Sequence, residues 1–461
     1  MKLNKLKTIT VAAIFATVLA LGAVASQAVT LTVGNATSLP CTGTFLTIQS
    51  AITAASPGDT ISVCPGTYNE QVQITKTLIV QGAQQGVDAR TRATTSESII
   101  NNSCAPVQIL ADNVILDGFT VQGSAMTDPC LNTGIWTNPG FSGTQGGHQI
   151  LNNIVQNNIS GIELDSTCAA NPTLVQHNLI QNNNNPGPGS GNAIQVNFGL
   201  CNATIDSNKF SGHTNSSILV SNFNGADTNI TVSSNELVGG TSTSERIVMG
   251  GVTNSAITGN TSIGSTALNG PIRLFGGDSN ITINSNVLRN GVRGIRIDDP
   301  FGVGPNSGIS GHLNCITGNS VAGLDVPAGG YSGILNAENN WWGSATGPTI
   351  ASNPGGTGDK IIDPDGVVDY SPFLTSDATT PCATPPCPTP GCTTNKKDCH
   401  KFVEQQEKDF NDMQKAQKKN FDSQPHTKQE KKTFDDQQKT AKDAFQTQYK
   451  ANEMQCNQLP K

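Results

Sequence analysis

Short segments in which apolar and polar residues alternate recur along the chain. Each has an apolar–x–apolar pattern, as at 134–137, 161–164, 193–196, 272–274 and 295–297. Alternation with a period of two residues predicts short β-strands rather than helices. Because no helical pattern separates these segments, a layered β–α–β fold is excluded.

Asparagine recurs between the strands at a nearly constant interval. Eight asparagines lie 25 to 30 residues apart, and each is followed within three residues by an apolar residue. They are Asn153, Asn178, Asn208, Asn235, Asn260, Asn286, Asn314 and Asn340. Periods of about 20 to 50 residues are typical of solenoids, so each repeat predicts one coil of a parallel β-helix. Stacked about 4.8 Å apart at one corner, the asparagines would bond backbone amides that the bend leaves unpaired.

Sequence stretches at both ends of the repeat add a family resemblance. They are 45–52, 57–61 and 65–70 at the start, and 339–343, 347–348 and 368–373 at the end. Over 31–375 the chain resembles the right-handed parallel β-helix proteins of the pectin-lyase-like superfamily. The resemblance implies an all-β, right-handed solenoid with an N-terminal capping helix, and the spacing of Ile48 and Ile52 fits such a helix. It implies almost nothing about activity.

Composition changes along the chain and predicts four regions. Residues 1–28 are typical of a signal peptide, with three lysines, an apolar run and small residues before the cleavage point. Residues 29–375 form the predicted β-helix, and 376–395 a Pro/Thr/Cys-rich linker. Residues 396–461 are charged, and we expect an α-helical hairpin that reverses at Pro425. Its core would contain Phe402, Phe410, Phe421, Phe434, Phe445 and Tyr449.

Charge and localisation restrict the possible partners. Only 13% of residues are charged, and the region between signal peptide and tail has 10 Lys and Arg against 23 Asp and Glu. This acidic body argues against nucleic acid or anionic lipid as the main partner. The leader predicts a secreted or cell-surface protein without a membrane span after cleavage. The helical tail could dock a partner or self-associate.

Twelve cysteines in an exported chain predict disulfides. Sequence neighbours suggest the pairs Cys41–Cys64, Cys104–Cys130, Cys168–Cys201 and Cys399–Cys456. Cys315 takes a position that faces solvent in earlier coils, and we expect it to bond one of the linker cysteines Cys382, Cys387 and Cys392. No cysteine or histidine spacing suits a metal, so no metal site and no cofactor is expected. The acidic turn 363–366 leaves calcium open as an alternative.

The outward positions of one strand column carry candidate sugar-binding residues. Acids, amides and an aromatic face are the groups that bind sugar hydroxyls and rings, and a polar groove along the coils would suit a polysaccharide. The candidate binding residues are Trp136, Glu163, Asp165, Gln195, Asn197 and Phe275.

Farther along the same column lies a charged cluster. Arg273, Arg296, Asp298 and Asp299 are the candidates for catalysis, with Arg293 nearby. Paired carboxylates could hydrolyse a glycoside, and an arginine could assist β-elimination of a uronate. The motifs of the hydrolase, lyase and esterase branches of the superfamily are missing, and ion pairs between adjacent coils are an alternative explanation.

Three functions therefore stay open at this point. The first is a non-enzymatic glycan-binding or surface-adhesion module, which the scaffold without a catalytic motif favours. The second is a lyase or hydrolase acting on polymers that contain uronic acid. The third is a structural envelope protein that oligomerises through its helical tail.

Overall fold

Most coils of the chain add one strand to each of three parallel sheets, A, B and C, in that order, and near the C-terminal end a coil adds two short strands to sheet A. The computed structural model describes residues 28–38, 40–92, 96–126, 132–137, 145–221, 227–239, 244–377 and 379–382, and individual positions between 396 and 457. The described chain is a parallel β-helix, as the repeat predicts. Right-handed winding is the sense that parallel crossover connections take. The predicted signal peptide lies outside the described residues.

The strands are short, and neighbouring coils pair them in register. In the described part of the chain, sheet A has 15 strands: Thr30–Val33, Thr60–Val63, Ile79–Gln81, Ile115–Asp117, Gln149–Leu151, Thr173–Gln176, Cys201–Asp206, Thr228–Ser233, Thr253–Thr258, Ser279–Asn284, Asn306–Ser307, Ser310–His312, Tyr331–Ser332, Leu335–Asn336 and Val368–Asp369. Sheet B has ten within the same ranges: Gly66–Tyr68, Ser98–Asn101, Phe119–Gln122, Ile154–Gln156, Leu179–Gln181, Lys209–Ser211, Glu236–Val238, Thr261–Ile263, Val287–Arg289 and Cys315–Thr317. Sheet C has twelve there: Val72–Ile74, Val107–Ile109, Thr133–Thr137, Ser160–Glu163, Asn192–Val196, Ser216–Val220, Ile247–Met249, Ile272–Leu274, Arg293–Ile297, Ala322–Asp325, Pro348–Thr349 and Gly358–Ile362.

The eight repeated asparagines stack inside the corner between sheets A and B. From Asn178 onward, each side-chain oxygen accepts the backbone N–H of the asparagine one coil earlier, as from Asn178 N to Asn208 Oδ1 at 3.0 Å, and the oxygen of Asn153 accepts from Phe119 N. The amide nitrogen donates to the preceding coil, from Asn208 Nδ2 to Val175 O at 2.8 Å. The same bonds continue from Asn153 to Asn340. The column thus supplies the hydrogen bonds that the bend removes from the sheets.

Left-handed backbone makes this corner possible. The residue before each of the eight asparagines has a φ between +53° and +66°. These residues are Asn152, His177, Ser207, Ser234, Gly259, Ser285, Leu313 and Asn339. Asparagine and glycine adopt this conformation at the least cost, and three of the eight residues are of these two types.

A second polar column, which the sequence analysis missed, lies in the corner between sheets B and C. Ser124 N donates to Asn158 Oδ1 at 3.1 Å, and Asn158 N donates to Asn183 Oδ1 at 3.2 Å. His213 continues the column, with Nε2 3.2 Å from the Asn183 amide. Glu245 accepts the His213 backbone N–H at 2.6 Å. All of these side chains are buried.

The capping helix spans Ile48–Ala54, with Thr47 as its N-cap. Ile48 and Ile52 are buried against the first coil, as predicted. The side chain of Gln49 accepts from Gln73 N at 2.7 Å and donates to Gln73 O at 3.3 Å. Since Gln73 lies on the first strand of sheet C, the helix occupies a strand edge that would otherwise be open to another chain.

Four disulfides lie wholly among the described residues. They are Cys41–Cys64, Cys168–Cys201, Cys315–Cys382 and Cys399–Cys456. Cys104 is also disulfide-bonded, while its predicted partner Cys130 and the linker cysteines Cys387 and Cys392 lie outside the described residues. Cys315 does bond a linker cysteine. The expectation that it faces solvent is wrong, because Cys315 is fully buried and is bonded to Cys382.

The described positions between 396 and 456 are helical. The Cys399–Cys456 disulfide and the 2.9 Å contact between His400 Nδ1 and Glu453 Oε1 bring the two ends of the segment together. The chain must therefore reverse direction between them, as a hairpin does. Pro425 and the phenylalanines expected in the hairpin core lie outside the described residues.

Candidate functional site

The outward residues of sheet C form one continuous column. Trp136, Glu163 and Gln195 are paired in register on consecutive coils. The column continues through Leu219 and Val248. It then reaches Arg273, Arg296 and Asp325. The strand pairing therefore confirms that the predicted residues Trp136, Glu163, Gln195, Arg273 and Arg296 lie in one column.

Most of the predicted sugar-binding residues in and beside this column are nevertheless covered. Their exposed fractions are at most 6% for Trp136, Glu163, Asp165, Gln195 and Phe275. An outward position on a polar face would ordinarily be solvated, and here that expectation is wrong. Neighbouring segments explain part of the burial. Gly189 lies so close to the side chain of Gln195 that a Cβ added to the glycine would be 2.6 Å from Gln195 Oε1. Asn197 alone of the six is exposed.

The first half of the column holds two buried carboxyl groups. Glu163 Oε2 accepts from Gln195 Nε2 at 3.3 Å, and burial raises the pKa of Glu163. Asp165 Oδ1 accepts the backbone N–H groups of Asn197 and Phe198 at 2.9 and 2.8 Å. Burial raises the pKa of Asp165 to about 7. Its Oδ2 has no hydrogen-bond partner among the described residues.

The second half of the column holds an arginine–aspartate network. Arg273 binds Asp298 through Nε and Nη2, both at 2.9 Å. Arg296 bridges two coils, with Nε 2.7 Å from Asp298 Oδ2 and Nη1 2.6 Å from Asp325 Oδ2. Arg293 Nε donates to the same Asp325 oxygen at 2.7 Å.

This network does not suit the catalytic roles considered for it. Burial pulls the pKa of Asp298 upward, but hydrogen bonds and charge from Arg273 and Arg296 outweigh it and hold that pKa below its ordinary value. An ionised carboxylate cannot donate a proton, and its oxygens are already occupied by guanidinium groups. Asp299, the other candidate, turns away and accepts from Val303 N and Gly304 N, both at 3.0 Å. The two neighbouring aspartates therefore do not form an acid–base pair.

Arg246 is a further member of this face that the sequence analysis missed. Its guanidinium donates to Asn215 O at 2.9 Å and to Asn215 Oδ1 at 3.1 Å. It contacts no carboxylate in the part of the chain that the structure describes. Burial, and then the charge of Arg273, lowers the pKa of the Arg246 guanidinium. Arg246 is therefore a half-buried cation that lies beside other arginines and that no carboxylate among the described residues neutralises.

Aromatic side chains border the arginines. The Arg273 guanidinium lies 5.6 Å from the ring centroid of Phe275, and Phe301 packs edge-on against Phe275 at 5.9 Å. Phe301 itself is 70% exposed. We name this surface the arginine face; it consists of Arg246, Arg273, Arg293, Arg296, Asp298, Asp325, Phe275 and Phe301.

The acidic turn near the C-terminal end binds its own backbone. Asp363 accepts from Val367 N at 3.0 Å and Val368 N at 2.8 Å. Asp359 accepts from Asn319 Nδ2 at 2.7 Å. Among the described residues, no group of three or more His, Cys, Asp or Glu is placed to hold a metal ion. Within the same part of the chain, no helix is long and apolar enough to cross a membrane.

Comparisons with known proteins find similarity in structure only. No protein-family model matches the sequence, and no curated protein matches it. The chain is similar to the crystal structure of pectate lyase Pel9A, with a TM-score of 0.44, 11% identity, and coverage of 71% of this chain and 82% of that one. The chain is also similar to the catalytic unit of a GH87 α-1,3-glucanase from Streptomyces thermodiastaticus, with a TM-score of 0.45, 13% identity, and coverage of 71% of this chain and 66% of that one. For DFA-IIIase from Arthrobacter chlorophenolicus the TM-score is 0.43 and the identity 13%, with coverage of 71% of this chain and 94% of that one.

The strand register itself establishes the architecture, independently of these likenesses. Three parallel sheets run along the solenoid, and an internal asparagine column runs along one corner. The chain therefore has the parallel β-helix fold that its sequence predicts.

Proposed function

We propose that this chain is an exported β-helix that binds an acidic glycan on the arginine face without cleaving it. The observation that carries the proposal is the charge balance of that face. Four guanidinium groups face two bonded carboxylates, those of Asp298 and Asp325, and Arg246 has only neutral acceptors. A carboxylated sugar would supply the missing anion.

The position of Phe301 supports the proposal that the missing anion is the carboxylate of a sugar. Its ring is largely exposed and is fixed by edge-on contact with Phe275. Exposed aromatic rings beside charged groups offer the apolar face of a sugar ring a surface on which to stack. The side chains of Arg273 and Arg296 are 16% and 20% exposed, so their remaining N–H groups border solvent.

Binding fits this geometry better than catalysis does. Both oxygens of Asp298 bind arginines, so this carboxylate has no free position from which to take or give a proton, and Oδ2 of Asp325 binds two arginines. Removing either carboxylate would leave one arginine without a carboxylate partner, Arg273 in the case of Asp298 and Arg293 in the case of Asp325. The carboxylates thus orient the guanidinium groups, and the guanidinium groups recognise the ligand.

A binding experiment with matched variants tests the proposal. The secreted protein is applied to an array of neutral and uronate-containing polysaccharides, and we expect retention on the acidic ones only. Arg246→Gln removes one charge-assisted hydrogen bond and should weaken binding roughly tenfold or more. Phe301→Ala should weaken it by a similar or smaller factor. Arg90→Gln, which alters an arginine paired with Asp88 away from this face, is the control and should bind normally. No retention on any acidic glycan, or equal retention of Arg246→Gln, would refute the proposal.

A polysaccharide lyase or hydrolase is the second candidate, and one observation favours it. Asp165 and Glu163 are neighbouring outward carboxyls with raised pKa values, and a carboxyl that stays protonated near neutrality can act as a general acid. Uronate polymers incubated with the protein would then give unsaturated products or new reducing ends. Loss of that turnover in Asp165→Asn, with retention in Arg246→Gln, would establish this candidate instead.

A structural role of the tail is a separate proposal. If residues 396–461 make the chain self-associate, a chain that ends before residue 396 should elute with a lower apparent mass than the full chain. The difference should exceed the mass of the tail itself. Equal association states of the two forms would exclude it.

A further inference from the structure

The chain before the first strand is held at a carboxylate. Val29 N donates to Asp59 Oδ1 at 2.9 Å, and Ser56 N donates to Asp59 Oδ2 at 2.8 Å. The Val29 carbonyl oxygen in turn accepts from Thr60 N at 2.9 Å. Asp59 is 3% exposed, so the Val29 nitrogen points at a nearly buried anion.

The sequence independently places a processing point at the same residue. The small residues Ser26 and Ala28 follow an apolar run, and the bond between Ala28 and Val29 comes directly after them. Ala28, Val29 and Thr30 are all exposed, so that bond is open to a peptidase. Neither observation depends on the other, and both single out the nitrogen of residue 29.

We propose that Val29 is the N-terminal residue of the exported chain and that its α-ammonium forms an ion pair with Asp59. A signal peptidase adds water across the Ala28–Val29 peptide bond. Ala28 leaves with a carboxylate, and the Val29 nitrogen takes up protons to become an ammonium group. An amide that carries no charge is thereby replaced, at the same place, by a cation.

The ion pair would lie between the cap and the first coil. Lys76 Nζ already binds the C-terminal carbonyls of the capping helix, Ile52 O at 3.0 Å and Ala55 O at 2.6 Å. Asp59 lies next to this end of the helix through its bond to Ser56 N. In the unprocessed chain only the acceptor of the bond between Val29 and Asp59 carries a charge, and after processing the donor carries one as well, which adds Coulombic attraction to the hydrogen bond. Removal of the leader would therefore strengthen the closure of the N-terminal end of the solenoid.

The backbone bonds around Asp59 keep its carboxylate ready for this pairing. Hydrogen bonds from Val29 N and Ser56 N lower the pKa of Asp59 against the opposing effect of burial, and the charge of Lys76 acts in the same direction. The site is thus an anion in the unprocessed chain as well. Processing supplies the cation.

The first measurement is N-terminal sequencing of the full chain exported from a secretory host. Val29 is the expected first residue, and any other residue would overturn the proposal. The second is the pKa of the α-amino group, measured by competitive acetylation over a pH series. An ordinary α-amino group titrates near pH 8, and the ion pair should raise this pKa above that value. A pKa at or below 8 would overturn the proposal.

Two comparison forms of the mature chain separate the ion pair from a general effect of the N-terminus. Asp59→Asn should return the α-amino pKa to its ordinary value. The second form is the Nα-acetylated wild-type chain. It keeps Asp59, so its measurement is informative whether or not Asp59→Asn folds. Its melting temperature should lie about 2 °C below that of the free-amine form at pH 7, and the two should converge above pH 10. Equal melting temperatures at pH 7 would contradict the pairing.

Discussion

Asp278 gives the sharpest test of how the interior of the solenoid is built. Its side chain is fully buried at the corner where sheet C returns to sheet A, and Oδ1 accepts from Val252 N at 2.9 Å. Oδ2 has no hydrogen-bond partner among the described residues. Burial raises the pKa of Asp278 from 3.8 to about 7, and the charge of Asp227 adds to the rise. The substitution Asp278→Asn keeps the acceptor for Val252 N and removes the titration.

The sign of the effect follows from proton binding. Between pH 4 and pH 7 the folded chain keeps the Asp278 proton, while the unfolded chain has lost it. The free energy of unfolding of the wild type therefore falls as pH rises across this range and levels off above pH 7. The slope is about 1.4 kcal/mol per pH unit, so from pH 5 to pH 8 the group accounts for roughly 2.5 kcal/mol.

The difference between the two proteins isolates this group. His148 works in the opposite direction, because burial lowers its pKa to about 4 and so favours folding as pH rises towards 6.5. His148 is present in both proteins and cancels. Melting temperatures measured by circular dichroism at pH 5 and pH 8 should show the wild type losing about 3 °C relative to Asp278→Asn, for a solenoid of roughly 350 residues. Asp165→Asn should behave in the same way. Parallel curves for wild type and both variants would refute the reasoning.

Two further substitutions test the corner column and the linker. Asn208→Ala leaves Asn178 N and Val175 O buried without partners and should cost roughly 3 kcal/mol or more, measured as a fall in melting temperature of about 4 °C. Asn69→Ala, at an exposed position, should change it by less than about 1 °C, and equal losses for both would contradict the role of the column. Cys315→Ser should release the linker, so that a protease cuts the chain after residue 376 several times faster while the solenoid stays folded; an unchanged cutting rate would show that the disulfide does not hold the linker.

The asparagine interval predicted the fold because one physical requirement repeats with every coil. Each corner needs acceptors and donors at the same place, so Asn178 and Asn208 recur at the length of a coil. The second column was equally open to detection, since Asn158 and Asn183 are 25 residues apart and each lies five residues after an asparagine of the first column. The eight repeated asparagines include one from each coil and therefore do not include the second column.

The candidate site was less accessible to sequence reasoning. Strand alignment placed Glu163 and Gln195 in one column, but their burial depends on segments between strands, such as the one at Gly189, whose path no periodicity encodes. Arg246 was missed because it lies just before the strand Ile247–Met249 and outside the alternating pattern. The pairing of Arg296 with carboxylates on two coils likewise depends on side-chain geometry rather than on spacing.

The most direct test of the function proposed for the arginine face is calorimetric titration with one oligosaccharide in two forms. The first form carries its uronate carboxylates, and the second has them reduced to hydroxymethyl groups. We predict heat of binding for the carboxylated form, weakened by added salt and by Arg246→Gln, and none for the reduced form. Equal binding of both forms, or conversion of the carboxylated form into shorter products during the titration, would contradict the account.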